Sequence, residues 1–318
     1  MAADAAAAHR VDALPRPGAA PLRSEEEPRT SLESGSGDIL IMGILNVTPD
    51  SFSDGGKFFS RDAALSRAAR MVAEGADIVD VGGESTRPGS RRVSVQEELD
   101  RVLPVIEAVR AELPVTISID TSKPAVMHAA CAAGAEMIND VRALREEGAL
   151  ETAARLGARV CLMHMQGQPR TMQAAPRYRD VVAEVRAFLL DRARRCEEHG
   201  ISRERLLIDP GFGFGKTPAH NLRLIAELDA FAGTGLPVLV GVSRKSTVGR
   251  VTSRRAGERE WGSLALAVIA ALKGAAVLRV HDVAPTRDAV RMVQAVQAAR
   301  GGAAGWNEQT TEAPFGNE

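Results

Sequence analysis

The chain has 318 residues, a formal net charge of −1 and a pI near 6.6, so no excess charge favours nucleic acid or an anionic membrane as a partner. Hydrophobic residues at 45% and charged residues at 25% are those of a globular protein, while aromatics at 3% are too few for base-stacking platforms. No apolar run reaches the roughly 18 residues of a membrane span, and the three cysteines, Cys131, Cys161 and Cys196, fit reduced thiols in a cytoplasmic protein rather than a disulfide framework or a metal site.

Residues 1–37 are rich in Ala, Pro, Gly, Ser and Glu and lack the apolar centre of a signal peptide; Glu25, Glu26 and Glu27 also sit badly with a transit peptide. Their composition predicts a disordered extension. The chain then changes character. Residues 39–47 form a nearly unbroken apolar run, the pattern of a strand buried on both faces. It empties into a polar loop in which Pro49, Gly55 and Gly56 forbid a helix, with Asn46 at the strand's end.

The same alternation repeats. A helix is expected over 61–73, with Ser60 as N-cap and Gly75 as stop, followed by a strand over 77–83. The stretch 94–113 carries a 3.6-residue apolar stripe behind a Ser94/Glu97 capping box, and Pro114 ends it. Strands are predicted at 115–120, 137–141, 159–164, 206–209, 237–243 and 277–282. Helices are predicted at 123–133, 149–156, 180–199, 218–230, 260–273 and 285–300. Residues 301–318 read as a disordered tail. Eight strands and eight helices in strict alternation, with a period of about 30 residues, predict one closed (β/α)8 barrel over 38–300. A doubly wound open sheet is the alternative.

In such a barrel the site lies at the carboxyl ends of the strands. The polar residues there are Asn46, Asp80, Asp120, Asn139, His164, Asp209, Lys245, Arg279 and His281. Any one of them could be a solvated loop residue. Together they are hard to explain structurally, because buried Asp and Lys cost several kcal/mol unless paired or facing a ligand. Asp120, Asn139, Asp209 and Lys245 suit a planar heterocycle with amino, N–H and carbonyl edges. Arg279 and His281, with Asn46, suit an anion accompanied by a metal ion. Lys245 and Arg279 read as placed for a ligand rather than for the core. Gly215-Lys216-Thr217 looks like the end of a phosphate loop, but its required earlier glycine would fall at Pro210, so the motif fails. No nucleophile constellation and no metal-ligand histidine spacing appear. The residues alone point to a barrel enzyme acting on a polar heterocycle and a phosphorylated group.

The strand ends also resemble the dihydropteroate synthase family. The matching strings are NVTPDSFSDGG at 46–56, DVGGESTRPG at 80–89, IDTSKP at 119–124, IND at 138–140, LMHMQG at 162–167, DPGFGFGK at 209–216, SRKS at 243–246 and RVHD at 279–282. They lie in order over about 39–300. The resemblance implies condensation of 7,8-dihydropterin-6-ylmethyl diphosphate with 4-aminobenzoate, releasing diphosphate and forming 7,8-dihydropteroate for folate synthesis. By that similarity Asp120, Asn139, Asp209, Phe214, Lys245 and Arg279 hold the pterin. Asn46, Arg279 and His281 face the diphosphate, with Mg²⁺ on Asn46. Phe52, Thr86, Arg87, Pro88 and Ser246 shape the aminobenzoate site. Asp120, Lys245, Arg279 and His281 would carry the chemistry, an SN1-like loss of diphosphate, and sulfonamides would compete with aminobenzoate. The family also implies a homodimer. A pterin-dependent methyltransferase or a non-catalytic pterin-binding homologue would keep the barrel but would not need the SRKS and RVHD anion set.

Overall fold

The computed structural model describes residues 38–48, 57–85, 91–168 and 171–300, at 57–60 and 300 as backbone only. The expected extension 1–37, the tail 301–318, and Phe52, Thr86, Arg87 and Pro88 lie outside the described residues.

Eight parallel strands form one sheet: β1 Leu40–Asn46, β2 Ile78–Gly82, β3 Thr116–Asp120, β4 Met137–Asp140, β5 Arg159–Met163, β6 Leu206–Asp209, β7 Leu239–Val240 and β8 Val277–Val280. Their order is β6-β5-β4-β3-β2-β1-β8-β7. A single bridge, Ile208 to Val238, with the Ile208 N–H donating to the Pro237 carbonyl at 3.0 Å, joins the two ends. The sheet is thus a (β/α)8 barrel whose weakest seam lies between β6 and β7. The outer ring contains α1 Lys57–Ala73, α2 Val95–Glu112, α3 Pro124–Ala132, α4 Ala149–Leu156, α5 Val181–Glu198, α6 Pro218–Ala226, α7 Asp229–Ala232, α8 Ser246–Thr252, α9 Glu260–Leu272 and α10 Val283–Arg300.

Two apolar sets follow from the period of two along each strand. Ile41, Leu45, Val79, Val81, Ile117, Ile119, Ile138, Val160, Leu162, Ile208 and Leu278 point outward and pack under the helices. Leu40, Met42, Ile78, Met137, Cys161, Leu207, Leu239 and Val277 form a separate cluster that plugs the amino-terminal end of the interior. Each fully buried side chain of this kind contributes about 1.5–3 kcal/mol. β3 adds no apolar residue to the plug. It places Ser118 there instead.

Several expected boundaries shift. β7 is two residues rather than the expected 237–243, because Pro237 has no N–H to donate and the chain leaves the ladder after Val240. The helix expected over 218–230 breaks into α6 and α7 where the Leu228 N–H tightens onto the Ile225 carbonyl. α1 begins at Lys57, so Ser60 lies within its first turn and is not its cap. Ser94 does cap α2, its Oγ accepting the Glu97 N–H at 3.1 Å. The Glu97 carboxylate completes no box, because it binds Arg91 and Arg101 instead. Helix α8 has no apolar stripe and two β-branched pairs around Gly249, and the sequence pattern missed it.

Candidate active site

The same parity that builds the plug carries polar residues up to the carboxyl end. Asn46, Gly82, Asp120 and Asn139 are neighbours in register across β1 to β4. Asp209 ends β6, and Arg279 lies on β8 two residues beyond the plug residue Val277. The mouth is therefore lined by side chains from most of the strands, placed by counting in twos from the plug residues, which are apolar on every one of these strands but β3.

Arg279 is the centre of this ring. Its Nε donates to Asp80 Oδ2 at 2.6 Å and an Nη donates to Asp120 Oδ2 at 2.8 Å. Burial works against its charge, but Asp80 and Asp120 outweigh that and hold its pKa above the usual arginine value. Burial pushes the Asp120 carboxyl up to about 7; Arg279 pulls it down, and the nearby Asp80, Glu98 and Asp140 push it further up. One guanidinium thus holds two carboxylates from two strands. Arg279 is not placed for a ligand alone, as the sequence suggested: it neutralises the interior.

Asp209 is buried, and its Oδ1 accepts the Gly211 N–H at 2.7 Å. Burial raises its pKa, and Lys245 opposes the shift. Gly211 has φ +68, and a Cβ there would lie 1.9 Å from the His164 carbonyl, so only glycine lets this loop turn back over the strand end. Lys245 follows Arg244, which holds a left-handed conformation at φ +57. Its ammonium donates to the Phe212 carbonyl and sits 4.6 Å from the Phe214 ring centroid. Burial lowers its pKa to about 8 against the pull of Asp209. Asp209, Phe214 and Lys245 therefore share one corner of the mouth.

His281 lies two residues beyond Arg279, just after β8. Ser243 Oγ sits 2.9 Å from His281 Nδ1 and 3.2 Å from the His281 N–H. Arg244 and Asp282 form a two-point ion pair that ties the β7 and β8 loops together. Asn46 is half-buried at the end of β1. A Cβ on Gly82 would lie 3.7 Å from Asp120 Oδ2 and 3.8 Å from Asn46 Oδ1, so these two oxygens flank the same bare backbone. Ser246, the first residue of α8, is exposed beside Lys245. Phe52, Thr86, Arg87 and Pro88 cannot be placed against these groups.

One strand-end residue goes elsewhere. His164 follows Met163 and turns the other way, towards the helices, where its ring meets Phe188 edge-on at 4.9 Å. Its Nδ1 is 2.9 Å from Lys216 Nζ. Lys216 is buried, and its ammonium also reaches the carbonyls of Gly211 and Phe214, both at 3.0 Å. Burial brings Lys216 to about 7 and His164 down to about 2, so His164 is neutral. Lys216 is a clamp between the β5 and β6 loops. Its resemblance to a phosphate-loop lysine is accidental, and no spacing in the sequence signals the clamp. Asp80, Ser243 and Glu84 are further supports. Glu84 accepts the Val93 N–H at 3.3 Å and the Lys123 ammonium at 2.7 Å, and so fixes both flanks of the second βα loop.

The comparisons agree with this geometry. The family model for pterin binding enzymes matches residues 42–281. The dihydropteroate synthase of Escherichia coli strain K12 is 55% identical over 260 residues, covering 82% of this chain and 92% of that protein. Two structures of the Xanthomonas albilineans dihydropteroate synthase superpose well. One, with 4-aminobenzoic acid, has a TM-score of 0.78 at 54% identity, covering 82% of this chain and 93% of that one. The other, in complex with 7,8-dihydropteroate, has a TM-score of 0.75 at 51% identity, covering 82% and 94%. The family model runs from inside β1 to the residue after β8 and so spans all eight strands but the first two residues of β1, and the chain belongs to the dihydropteroate synthase family of pterin binding enzymes.

Proposed function

We infer that the mouth of this barrel joins 7,8-dihydropterin-6-ylmethyl diphosphate to 4-aminobenzoate, giving 7,8-dihydropteroate and diphosphate. The observation that carries this is the convergence of Asp209, Asn139 and Lys245 on one opening beside the Arg279–Asp120 pair. Asp209 keeps its Oδ2 for the amino and ring N–H of a pterin. Lys245 is a donor for the pterin carbonyl, Asn139 offers an acceptor, and the flat guanidinium of Arg279 offers a stacking face, with Phe214 closing the corner.

The leaving group is an anion; the Arg279 guanidinium faces it, and His281 offers it a ring N–H. Ser243 holds His281 from the Nδ1 side, which turns Nε2 outward. The C–O bond breaks with its electron pair going to diphosphate, and the electron-rich pterin carries the cationic character left on the methylene. Ionised Asp120 stabilises that charge from below. The arylamine of aminobenzoate supplies its lone pair to form the C–N bond and loses its proton afterwards. This favours an SN1-like displacement that needs no strong general base. A bound Mg²⁺ would neutralise the diphosphate. The donor set fits it: Asn46 Oδ1 would hold it, with the Asp120 carboxylate beside the same glycine, both hard oxygens, and an ion that keeps most of its ligands as water or phosphate oxygen needs few more. Ser246, at the exposed start of α8, would receive the aminobenzoate carboxylate together with Phe52, Thr86, Arg87 and Pro88. A sulfonamide that imitates aminobenzoate would compete there.

Two coarser expectations have support of their own. No helix among the described residues is long and apolar enough to cross a membrane, and the three cysteines are free, in keeping with a reducing cytoplasm. The partner we infer is a second copy: α9 leaves Trp261 73% and Leu272 52% exposed. The functional test is direct. Purified protein given both substrates and Mg²⁺ should form dihydropteroate, detected by mass spectrometry, and neither substrate alone should yield it. Folded protein that forms none would refute the assignment.

A further inference from the structure

Among the described residues that point into the barrel, Asp80 is the one carboxylate below the mouth, and it is 0% exposed. It lies two residues below Gly82 on β2, in register with Ser118. A single oxygen, Oδ2, accepts both the Arg279 Nε–H at 2.6 Å and the Asn139 Nδ2–H at 3.0 Å. Its other oxygen, Oδ1, and the neighbouring Ser118 Oγ have no hydrogen-bond partner. An apolar pair would pack better at this depth, so stability does not explain the carboxylate.

We propose that Asp80 is a positioning residue that sets the donor and acceptor pattern of the pterin pocket through Asn139 and Arg279. The proposal rests on the pterin reading above. An asparagine amide can face a ligand either way round. Because Asp80 Oδ2 takes the Asn139 NH₂, the Asn139 Oδ1 is turned towards the mouth and the pocket presents an acceptor to a ring N–H. The same oxygen holds Arg279 by Nε while Asp120 holds an Nη, which fixes the guanidinium plane at two points. One buried oxygen thus selects which edge of a heterocycle can bind and which face it stacks on, without touching it.

The test compares pterin and aminobenzoate. Asp80→Ala should raise the KM for the pterin diphosphate about ten- to a hundredfold, the loss of an oriented hydrogen bond and of part of a charge pair, and leave the KM for aminobenzoate unchanged. Asn139→Ala should weaken pterin binding about tenfold in the wild-type background and less than about threefold in Asp80→Ala, because its orientation is already lost. Asp80→Asn should rescue: its oxygen takes the shared place and its NH₂ faces Ser118 Oγ, so pterin KM should return to within about threefold of wild type. Titration calorimetry with the free pterin separates two failures. Wild-type protein that binds no pterin would sink the functional reading itself. Wild-type binding with additive Asp80 and Asn139 losses, or equal losses for both substrates, would overturn the positioning role alone. Should Asp80→Ala not fold, Asp80→Asn decides: a loss of pterin affinity beyond about thirtyfold in folded protein would show a direct ionic role instead.

Discussion

The two ends of the barrel interior are made by the same strands with the same parity. At the amino-terminal end Met42, Ile78, Met137 and Leu207 belong to one plug with Leu40, Cys161, Leu239 and Val277. Two to four residues further along those strands stand Asn46, Gly82, Asn139, Asp209 and Arg279. One end is held by dispersion and exclusion of water. The other holds buried charge in balance, Arg279 against Asp80 and Asp120, and Lys245 near Asp209. The separation along the strand axis lets the mouth carry costly groups because the plug beneath it is already stable. It also predicts that substitutions at the two ends fail in different ways.

Arg279→Ala should break the comparison most visibly. It would remove the proposed stacking face and anion contact, and it leaves two buried carboxylates without their cation. Turnover should vanish, and unfolding in urea should show a loss of about 3 kcal/mol, since breaking a buried pair costs more than its net worth. An inactive Arg279→Ala protein with wild-type stability would mean that the mouth tolerates the unbalanced carboxylates. Asp209→Asn should stay at the mouth alone. Its amide turns one acceptor into a donor opposite a pterin N–H, so pterin binding should weaken by about 2 to 4 kcal/mol in calorimetry, with little change in melting temperature. Unchanged affinity would remove Asp209 from the pterin site.

Leu207→Ala addresses the other end. It should cost about 2 to 3 kcal/mol of stability, near the low end for such a truncation because the flexible Met42 and Met137 side chains beside it can relax inward. Turnover per folded molecule should be unchanged, and a large fall in kcat would show that plug and mouth are coupled. The smallest effect is in pH. Asp120, raised to about 7, is ionised above that value, and Lys245, lowered to about 8, is charged below that value. Both charged forms therefore coexist only in a narrow window. The profile of kcat/KM should be a bell with its top between those two values, falling about tenfold per pH unit outside it. Lys245→Arg should remove the alkaline limb, since arginine does not titrate there. A flat profile across both limbs would mean that neither charge governs the rate.

Most of the mouth was legible from strand ends. Asn46, Asp120 and Asp209 close their strands and Asn139 stands one residue before the end of β4, and apolar runs that stop at a polar residue are visible without coordinates. His164 showed the limit of that rule, since it ends an apolar run on the wrong parity and serves the β5–β6 clamp. Asp80 showed the complementary limit. It sits inside its strand, where one carboxylate among apolar neighbours does not reveal which distant residues it faces. Lys216 was set aside as a phosphate-loop lysine because the earlier glycine is missing, but its clamp on His164 and the Gly211 and Phe214 carbonyls left no local signal.

The sequence by itself determined the number and order of the βα units, because each strand and helix announces its buried face through its own period. It also determined which residues stand at the strand ends. Only the tertiary structure decided which of them share a charge. The Arg279–Asp80 and Arg279–Asp120 pairs join residues 199 and 159 positions apart. That balance depends on where barrel closure brings β8 beside β1, and local pattern carries no information about contacts formed by closure.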